Sequence, residues 1–276
     1  MLDFSLTEEQ RLFKSTLRDF CEKNLTPRGR EIDEKGKIPD EVIKGMAQLG
    51  LLALTASPEY GGAGADFTMA TIATEEFAHA DNSVATAVFF LVEAAWGYIF
   101  SKYGGKRALE EVIPKVAKGE AFLGIASTEP DAGSDVAALK MMARKEKDGY
   151  VLNGEKAYIS GVKEVQSLGG GYVTVAKTDP KLGHRGETLL YVPFDTPGIK
   201  PTAILENMGR MGISTGGFVA ENAMIPDHYV IGEVNRGFYY ALEGFTHARV
   251  LVAAACIGTA QRALEIGMDY IKQRKA

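Results

Sequence analysis

The stretch GEAFLGIASTEPDAGSD, residues 119–135, is where the chain changes its periodicity, and the reading of the fold turns on it. Before it, apolar residues recur at helical spacing. After it, they come in short runs and alternations. Within it, the apolar run Phe122 to Ala126 has the length of a buried strand, and Ser127 to Asp135 packs small residues, hydroxyls and three acids directly behind that run. A turn-rich segment of this kind is often an ordinary surface loop, so its role has to be sought in its surroundings.

Working towards the N-terminus, Thr7-Glu8-Glu9-Gln10 fits a capping box, and Leu12, Phe13, Leu17, Phe20 and Cys21 follow at helical spacing. This predicts a helix over 7–24, closed by Pro27 and Gly29. A second helix starts near Pro39 and carries Val42, Ile43, Met46 and Leu49 as far as Gly50. Helical patterns then cover 67–80, 83–103 and 105–118, so residues 1–119 read as an all-helical domain. The most apolar segment, Val84 to Phe100, approaches membrane-spanning length but contains Glu93 and lies among amphipathic helices, which favours a buried core helix.

Working towards the C-terminus, Phe122 to Ala126, Ala138 to Lys145, Tyr150 to Leu152, Tyr172 to Ala176, Thr188 to Phe194 and Gly217 to Ala220 read as strands of a domain over 120–232. Asp148-Gly149 and Asn153-Gly154 are hairpin dipeptides, so 138–160 is expected to be an antiparallel meander. Gly169-Gly170-Gly171 reads as a turn before a strand, because no helix start or Lys-Ser/Thr follows it. From Asn235 the helical period returns and continues to residue 276. One helix of that length must pack against helices supplied by this chain or another, so 233–276 reads as the incomplete start of a further helical domain.

Composition narrows the function. With 31 basic and 36 acidic residues the net charge is -5, and the basic clusters at 140–147 and 272–275 are local, which argues against nucleic-acid binding. Cys21 and Cys256 form neither a disulfide framework nor a zinc site, and His79, His184, His228 and His247 lack metal-ligand spacing. The acidic N-terminus has no signal-peptide pattern, so the cytoplasm is the expected compartment. There is no G-x-S-x-G elbow, and no dinucleotide fingerprint between a strand and a helix. What remains is the opening loop together with KAYISG, residues 156–161. Both place small hydroxyl residues beside apolar ones where a sheet ends, an arrangement suited to a flat ring that needs hydrogen bonds at its edge and packing on its face. Two turn-capping clusters would look the same by spacing.

Order and content of several motifs add to this. Ile125 to Asp135, then Asp148 to Lys156, then Tyr158-Ile159-Ser160, Asn207-Met208-Gly209, Val230-Ile231-Gly232 followed by Asn235-Arg236-Gly237-Phe238, and Ala248-Arg249 through Ala260 to Leu264 together resemble the acyl-CoA dehydrogenase family. Pro58 to Gly62 extends the likeness into the helical start. The resemblance implies an α+β fold: an N-terminal helical domain, a central small β-barrel, and the first long helix of a C-terminal four-helix domain. It also implies FAD as cofactor, an acyl-CoA substrate, an electron-transferring flavoprotein as partner, and a dimer or tetramer of identical chains.

By the same resemblance, Ile125, Ser127, Thr128, Gly133 and Ser134 would edge the flavin ring, and Tyr158, Ile159 and Ser160 would cover its other face, in a segment where the family usually has Trp-Ile-Thr. Ser134 would also meet the acyl-CoA. Phe245, Thr246 and Arg249 would contact the substrate from one helical face, the alternative for Arg249 being a pair with a carboxylate on a neighbouring helix. Arg274 would reach the FAD pyrophosphate, often across a subunit boundary. Asp131 stands where glycine is commoner. The implied reaction is α,β-dehydrogenation of an acyl thioester to a trans-2-enoyl-CoA. The family's usual base would lie beyond residue 276. Position 248, the alternative place, is alanine, and Glu243 reads as a solvated or helix-packing acid. No catalytic residue is assigned. The expectation is a C-terminally shortened dehydrogenase, the alternatives being a non-catalytic subunit of a hetero-oligomeric acyl-CoA dehydrogenase or a CoA-binding scaffold without redox activity.

Overall fold

A computed structural model describes residues 4–275. Six α-helices come first: α1 (Glu8–Asn24), α2 (Gly29–Lys35), α3 (Asp40–Gln48), α4 (Phe67–Ala80), α5 (Ala85–Tyr103) and α6 (Lys106–Ala117). The capping box forms as expected, since the Thr7 hydroxyl accepts from the Gln10 N–H and the Gln10 side chain returns to the Thr7 N–H. α1 is tied to α4 by Arg18, whose Nε and Nη2 reach the buried Glu76 carboxylate at 2.8 and 2.9 Å. α5 is the buried core helix that its sequence predicted. Its Phe89 meets Phe122 on the first strand and its Trp96 meets Phe245 on the last helix, with ring centroids 5.3 and 5.2 Å apart.

The middle of the chain supplies β1 (Phe122–Ala126), β2 (Met142–Glu146), β3 (Gly149–Ser160), a short α7 (Val162–Leu168), β4 (Gly170–Lys177), β5 (Glu187–Pro193), β6 (Ile199–Pro201), β7 (Thr215–Pro226) and β8 (Val230–Ile231). The sheet runs β6-β7-β3-β2-β4-β5-β8, with β1 alongside β4. It is not closed, which corrects the expected barrel: among the described residues β6 and β8 are edges that do not pair. One side of β4 is shared in succession, parallel, by β1 along residues 170–174 and by β2 at Lys177, so the sheet curves without joining its ends.

The meander over 138–160 is also corrected. A hairpin does join β2 to β3, but its turn is Lys147-Asp148, with Gly149 already paired to Glu146, and Asn153-Gly154 is a bulge inside the single long strand β3, where the register against β7 shifts. The bulge is held by side chains, as Asn153 accepts from the Asn222 N–H at 2.9 Å. Residues 136–138 form a single 3-10 turn instead of the start of β2. Gly170 and Gly171 lie within β4, where a Cβ would overlap the carbonyls of Phe122 and Val192, so they serve close strand packing.

α8 (Gly237–Gln273) runs for 37 residues, about 55 Å, and docks along α4 and α5. The helical pattern was expected to reach residue 276, and Ala276 lies outside the described residues. Gly258 permits the docking, since a Cβ there would overlap the Glu75 carbonyl on α4. Farther along, His79 on α4 contacts Glu265 at 2.8 Å. Ile257, Leu264, Met268, Tyr270 and Ile271 remain exposed on α8. Among the described residues it is the one helix long and apolar enough to cross a membrane.

The glycines of α8 give a test of the docking. Gly258→Ala is expected to destabilise the chain by about 1–3 kcal/mol in urea unfolding, because a methyl group is forced against a packed backbone. Gly267, which has open space at its Cβ position, gives the opposite sign. Gly267→Ala should stabilise by about 0.5–1 kcal/mol through helix propensity alone.

Candidate functional site

β1 ends at Ala126 in the interior, and the chain must leave the sheet with its polar backbone satisfied. It does so by bonding to the end of β3: the Ala157 N–H donates to the Thr128 carbonyl at 2.9 Å, and the Lys156 ammonium donates to the Ser127 carbonyl at 2.9 Å. The loop predicted to rim a ring and the segment predicted to cover it therefore share one wall. Glu129, Pro130, Asp131 and Ala132 then make a tight turn, closed by bonds between the backbones of Glu129 and Ala132. Asp131 does not disturb the turn. It points outward to the Lys140 ammonium at 2.9 Å.

Behind the loop lies an ion pair that the sequence motifs contained but did not assign a role. Lys156 is fully buried and Glu129 is 5% exposed, with Nζ and Oε1 2.9 Å apart. Glu129 is further satisfied by the N–H groups of Met141 at 2.9 Å and Lys140 at 2.6 Å. Burial pulls the Lys156 ammonium down to about 8, against the opposing pull of Glu129. Nearby on β5, Glu187 is buried with neither carboxyl oxygen hydrogen-bonded, and burial pushes it up to about 7 although Lys177 and Lys156 act the other way. Glu93 on α5 is likewise buried, and burial raises its carboxyl well above the usual range although the Leu123 backbone acts the other way.

The predicted ring contacts divide by environment. Ile125 is half-buried in β1 and Ser127 is 7% exposed, while Thr128 is half-buried. Neither the Ser127 nor the Thr128 hydroxyl makes a hydrogen bond among the described residues. Gly133 and Ser134 are exposed beyond the turn. Tyr158 is 65% exposed and sits at φ 56°, in a second bulge of β3 between Lys156 and Ile159. A non-glycine residue in the left-handed region is strained, and here the strain holds an aromatic ring outside the sheet. Ile159 is buried, and the Ser160 hydroxyl accepts from Arg210 at 3.1 Å. Unpartnered hydroxyls beside a projecting aromatic ring fit the edge and face of a flavin.

The residues predicted on α8 are less uniform. Phe245 packs edge-on against Trp96, while the Thr246 hydroxyl turns back to the Leu242 carbonyl at 2.9 Å. Arg249 is exposed and forms no ion pair among the described residues. Arg274 caps the far end of the helix, exposed, 25 residues and therefore about 38 Å along the axis from Arg249. One copy of the chain does not bring these two arginines together. Glu243 is engaged by Lys102 at 2.8 Å and by the Tyr103 hydroxyl at 2.7 Å. Burial acts to raise its carboxyl, but those two partners outweigh it and hold it below the usual range.

Sequence models of the acyl-CoA dehydrogenase N-terminal, middle and C-terminal domains match residues 7–120, 124–223 and 235–276. The chain is 34% identical over 269 residues to a 3-(aryl)acrylate reductase of Clostridium sporogenes (strain ATCC 15579), covering 98% of this chain and 70% of that protein. It is 34% identical over 275 residues to the acryloyl-CoA reductase (NADH) of Anaerotignum propionicum, covering 99% and 68%. The solved butyryl-CoA dehydrogenase of Megasphaera elsdenii superimposes with a TM-score of 0.90 at 30% identity, over 100% of this chain and 72% of that one.

Two measurements test the buried charges. Lys156→Met leaves Glu129 buried and uncompensated, and should cost about 3–5 kcal/mol in urea unfolding. Adding Glu129→Gln, which removes the uncompensated charge and keeps a neutral acceptor for one of the Lys140 and Met141 N–H groups, should recover at least ~1 kcal/mol of that loss. For Glu187 the folded state binds the proton more tightly than the unfolded chain, so its contribution is full below pH ~4.5 and is lost as pH rises through about 7. The stability of the unaltered chain relative to Glu187→Gln should therefore fall by ~2–3 kcal/mol across that window. A difference that stays flat with pH would contradict the raised carboxyl.

Proposed function

The chain belongs to the acyl-CoA dehydrogenase family, whose cofactor is FAD and whose chemistry is oxidoreduction at a CH–CH bond, and we propose that it holds the flavin ring between residues 125–134 and 158–160 for α,β-dehydrogenation of an acyl-CoA. The observation that carries this reading is the pair of bonds from Lys156 and Ala157 to the Ser127 and Thr128 carbonyls, which set hydroxyls and a projecting tyrosine along one wall. FAD supplies the hydride acceptor. The Thr128 and Ser160 hydroxyls orient the ring edge, Tyr158 covers a face, and the half-buried Phe245, backed by Trp96, excludes water from the acyl chain. Thr246 and Arg249 face the CoA side of α8.

The proton acceptor is not assigned to a residue of this chain. Glu243 is committed to Lys102 and Tyr103, and Ala248 has no acid. The outward apolar residues of α8, Ile257, Leu264, Met268 and Ile271, suit cover by further helices, in keeping with the homo-oligomers typical of the family. Arg274 then serves a flavin held mainly by a second copy, and electrons pass to an electron-transferring flavoprotein. A second reading, reduction of a 2-enoyl thioester, is favoured by the name of the acryloyl-CoA reductase to which the chain is similar.

Purified chain loaded with FAD is expected to show flavin absorbance, and Thr128→Val or Ser160→Ala should each weaken FAD binding about tenfold, ~1.4 kcal/mol. Anaerobic mixing with saturated acyl-CoA, and of reduced protein with 2-enoyl-CoA, separates the two directions by which mixture changes the flavin spectrum. Equal FAD affinity in all three proteins would remove the basis of the ring site.

A further inference from the structure

Resting on the reading of Ser160 as a ring contact, we infer that Arg210 is a positioning residue of that site: it fixes the Ser160 hydroxyl as a donor towards the ring, and so makes the chain prefer reduced over oxidised flavin. Arg210 lies in the loop between β6 and β7, beside a shallow cleft of about 520 Å³ lined also by Asn82, Val84 and Asn207. Its Nη1 donates to Ser160 Oγ at 3.1 Å and its Nη2 to Thr215 Oγ1 at 2.7 Å. Thr215 is held from the other side by Asn207, at 3.1 Å.

Two features set this arginine apart from the surface cations. Among the described residues it forms no ion pair, and its acidic neighbour, Glu164, is bound instead by the N–H and hydroxyl of Ser214. Its backbone is also left-handed, at φ 49°, a conformation that arginine adopts only when its surroundings impose it. A half-buried guanidinium, disfavoured by desolvation and without a carboxylate partner, is thus aimed at a hydroxyl.

The consequence follows from the inventory of a hydroxyl, one proton and two lone pairs. The Arg210 N–H occupies a lone pair, so the Ser160 proton is turned away from Arg210. That proton has no acceptor among the described residues. An acceptor on the ring completes it. Reduction of FAD by dithionite near neutral pH adds two electrons and one proton from water, so the proton makes one ring nitrogen a donor while the remaining negative charge makes the pyrimidine edge a better acceptor. A donor backed by a positive charge binds the electron-rich form more strongly. If Arg210 only anchored the loop to β7, both forms would lose affinity equally on its removal.

The test uses the full chain and measures dissociation constants for oxidised FAD and for dithionite-reduced FAD, anaerobically, in the unaltered protein, Arg210→Met, Arg210→Lys, Ser160→Ala and the Arg210→Met/Ser160→Ala pair. Arg210→Met should reduce the preference for the reduced form about tenfold, equivalent to ~30 mV for a two-electron couple. Arg210→Lys should restore part of it, since charge and one donor remain. With Ser160 replaced by alanine, Arg210→Met should change the preference less than about twofold. Parallel weakening of both forms, or an undiminished tenfold effect without the Ser160 hydroxyl, overturns the inference while leaving the ring site intact. Failure of the unaltered chain to bind either form removes the ring site itself, and the inference with it.

Discussion

The interaction on which the rest of the site depends is the buried pair of Lys156 and Glu129. A loop that leaves the end of a strand in a protein interior has carbonyls to satisfy and no water to satisfy them. Here one ammonium answers the Ser127 carbonyl and the Glu129 carboxylate together, while the same carboxylate takes the N–H groups of Lys140 and Met141. Three segments distant in sequence are thereby fixed by four hydrogen bonds around two side chains. A buried pair of this kind contributes little net stability against an apolar substitute, but it makes alternative arrangements costly. Its value is that the loop has one conformation before any ligand arrives.

The helices supply a floor for that loop, and small residues set how close they come. α5 is common to both halves, touching β1 through Phe89 and α8 through Trp96. Gly244 and Gly258 let α8 lie against Trp96 and the α4 backbone, where any Cβ would overlap. Since α8 begins beside β5, with Gly237 against Thr188, the helix is pinned to the sheet at one end and to α4 farther along. The placement of Phe245 follows from those fixed points and owes little to its own preferences.

Much of this was legible in the sequence, and the misses have physical causes. The period change at Gly119, the capping box at Thr7 and the apolar stretch of α5 are local signals, and each produced the element it predicted. Asn153-Gly154 misled because the left-handed and open conformations that make a hairpin also make a bulge, and only pairing with β7 decides between them. Barrel closure depends on contacts between edge strands, which no local pattern encodes. In the site, the hydroxyls at 127, 128 and 160 were visible from residue type and motif order. Lys156 and Glu129, 27 residues apart, were quoted within those motifs, yet their pairing depends on β1 and β3 lying side by side. Arg210 carried no signal, because its function comes from a strained turn that points it at Ser160.

The distribution of charge around the loop has a logic of its own. On the ring site proposed above, the groups that face the ring are neutral: the Ser127, Thr128 and Ser160 hydroxyls and the Tyr158 ring. Full charges sit one layer back, on Lys156, Glu129 and Arg210, joined to the front by carbonyls and hydroxyls. A charge placed directly against a planar heteroaromatic ring would hold one electronic state too tightly and pay a desolvation cost in its absence. A dipole backed by a charge is graded: it favours the electron-rich state by a modest factor and leaves the other bound. For a ring that must both accept and release electrons on one protein, a modest preference is what turnover requires, since uniformly tight binding of either state would stop the cycle.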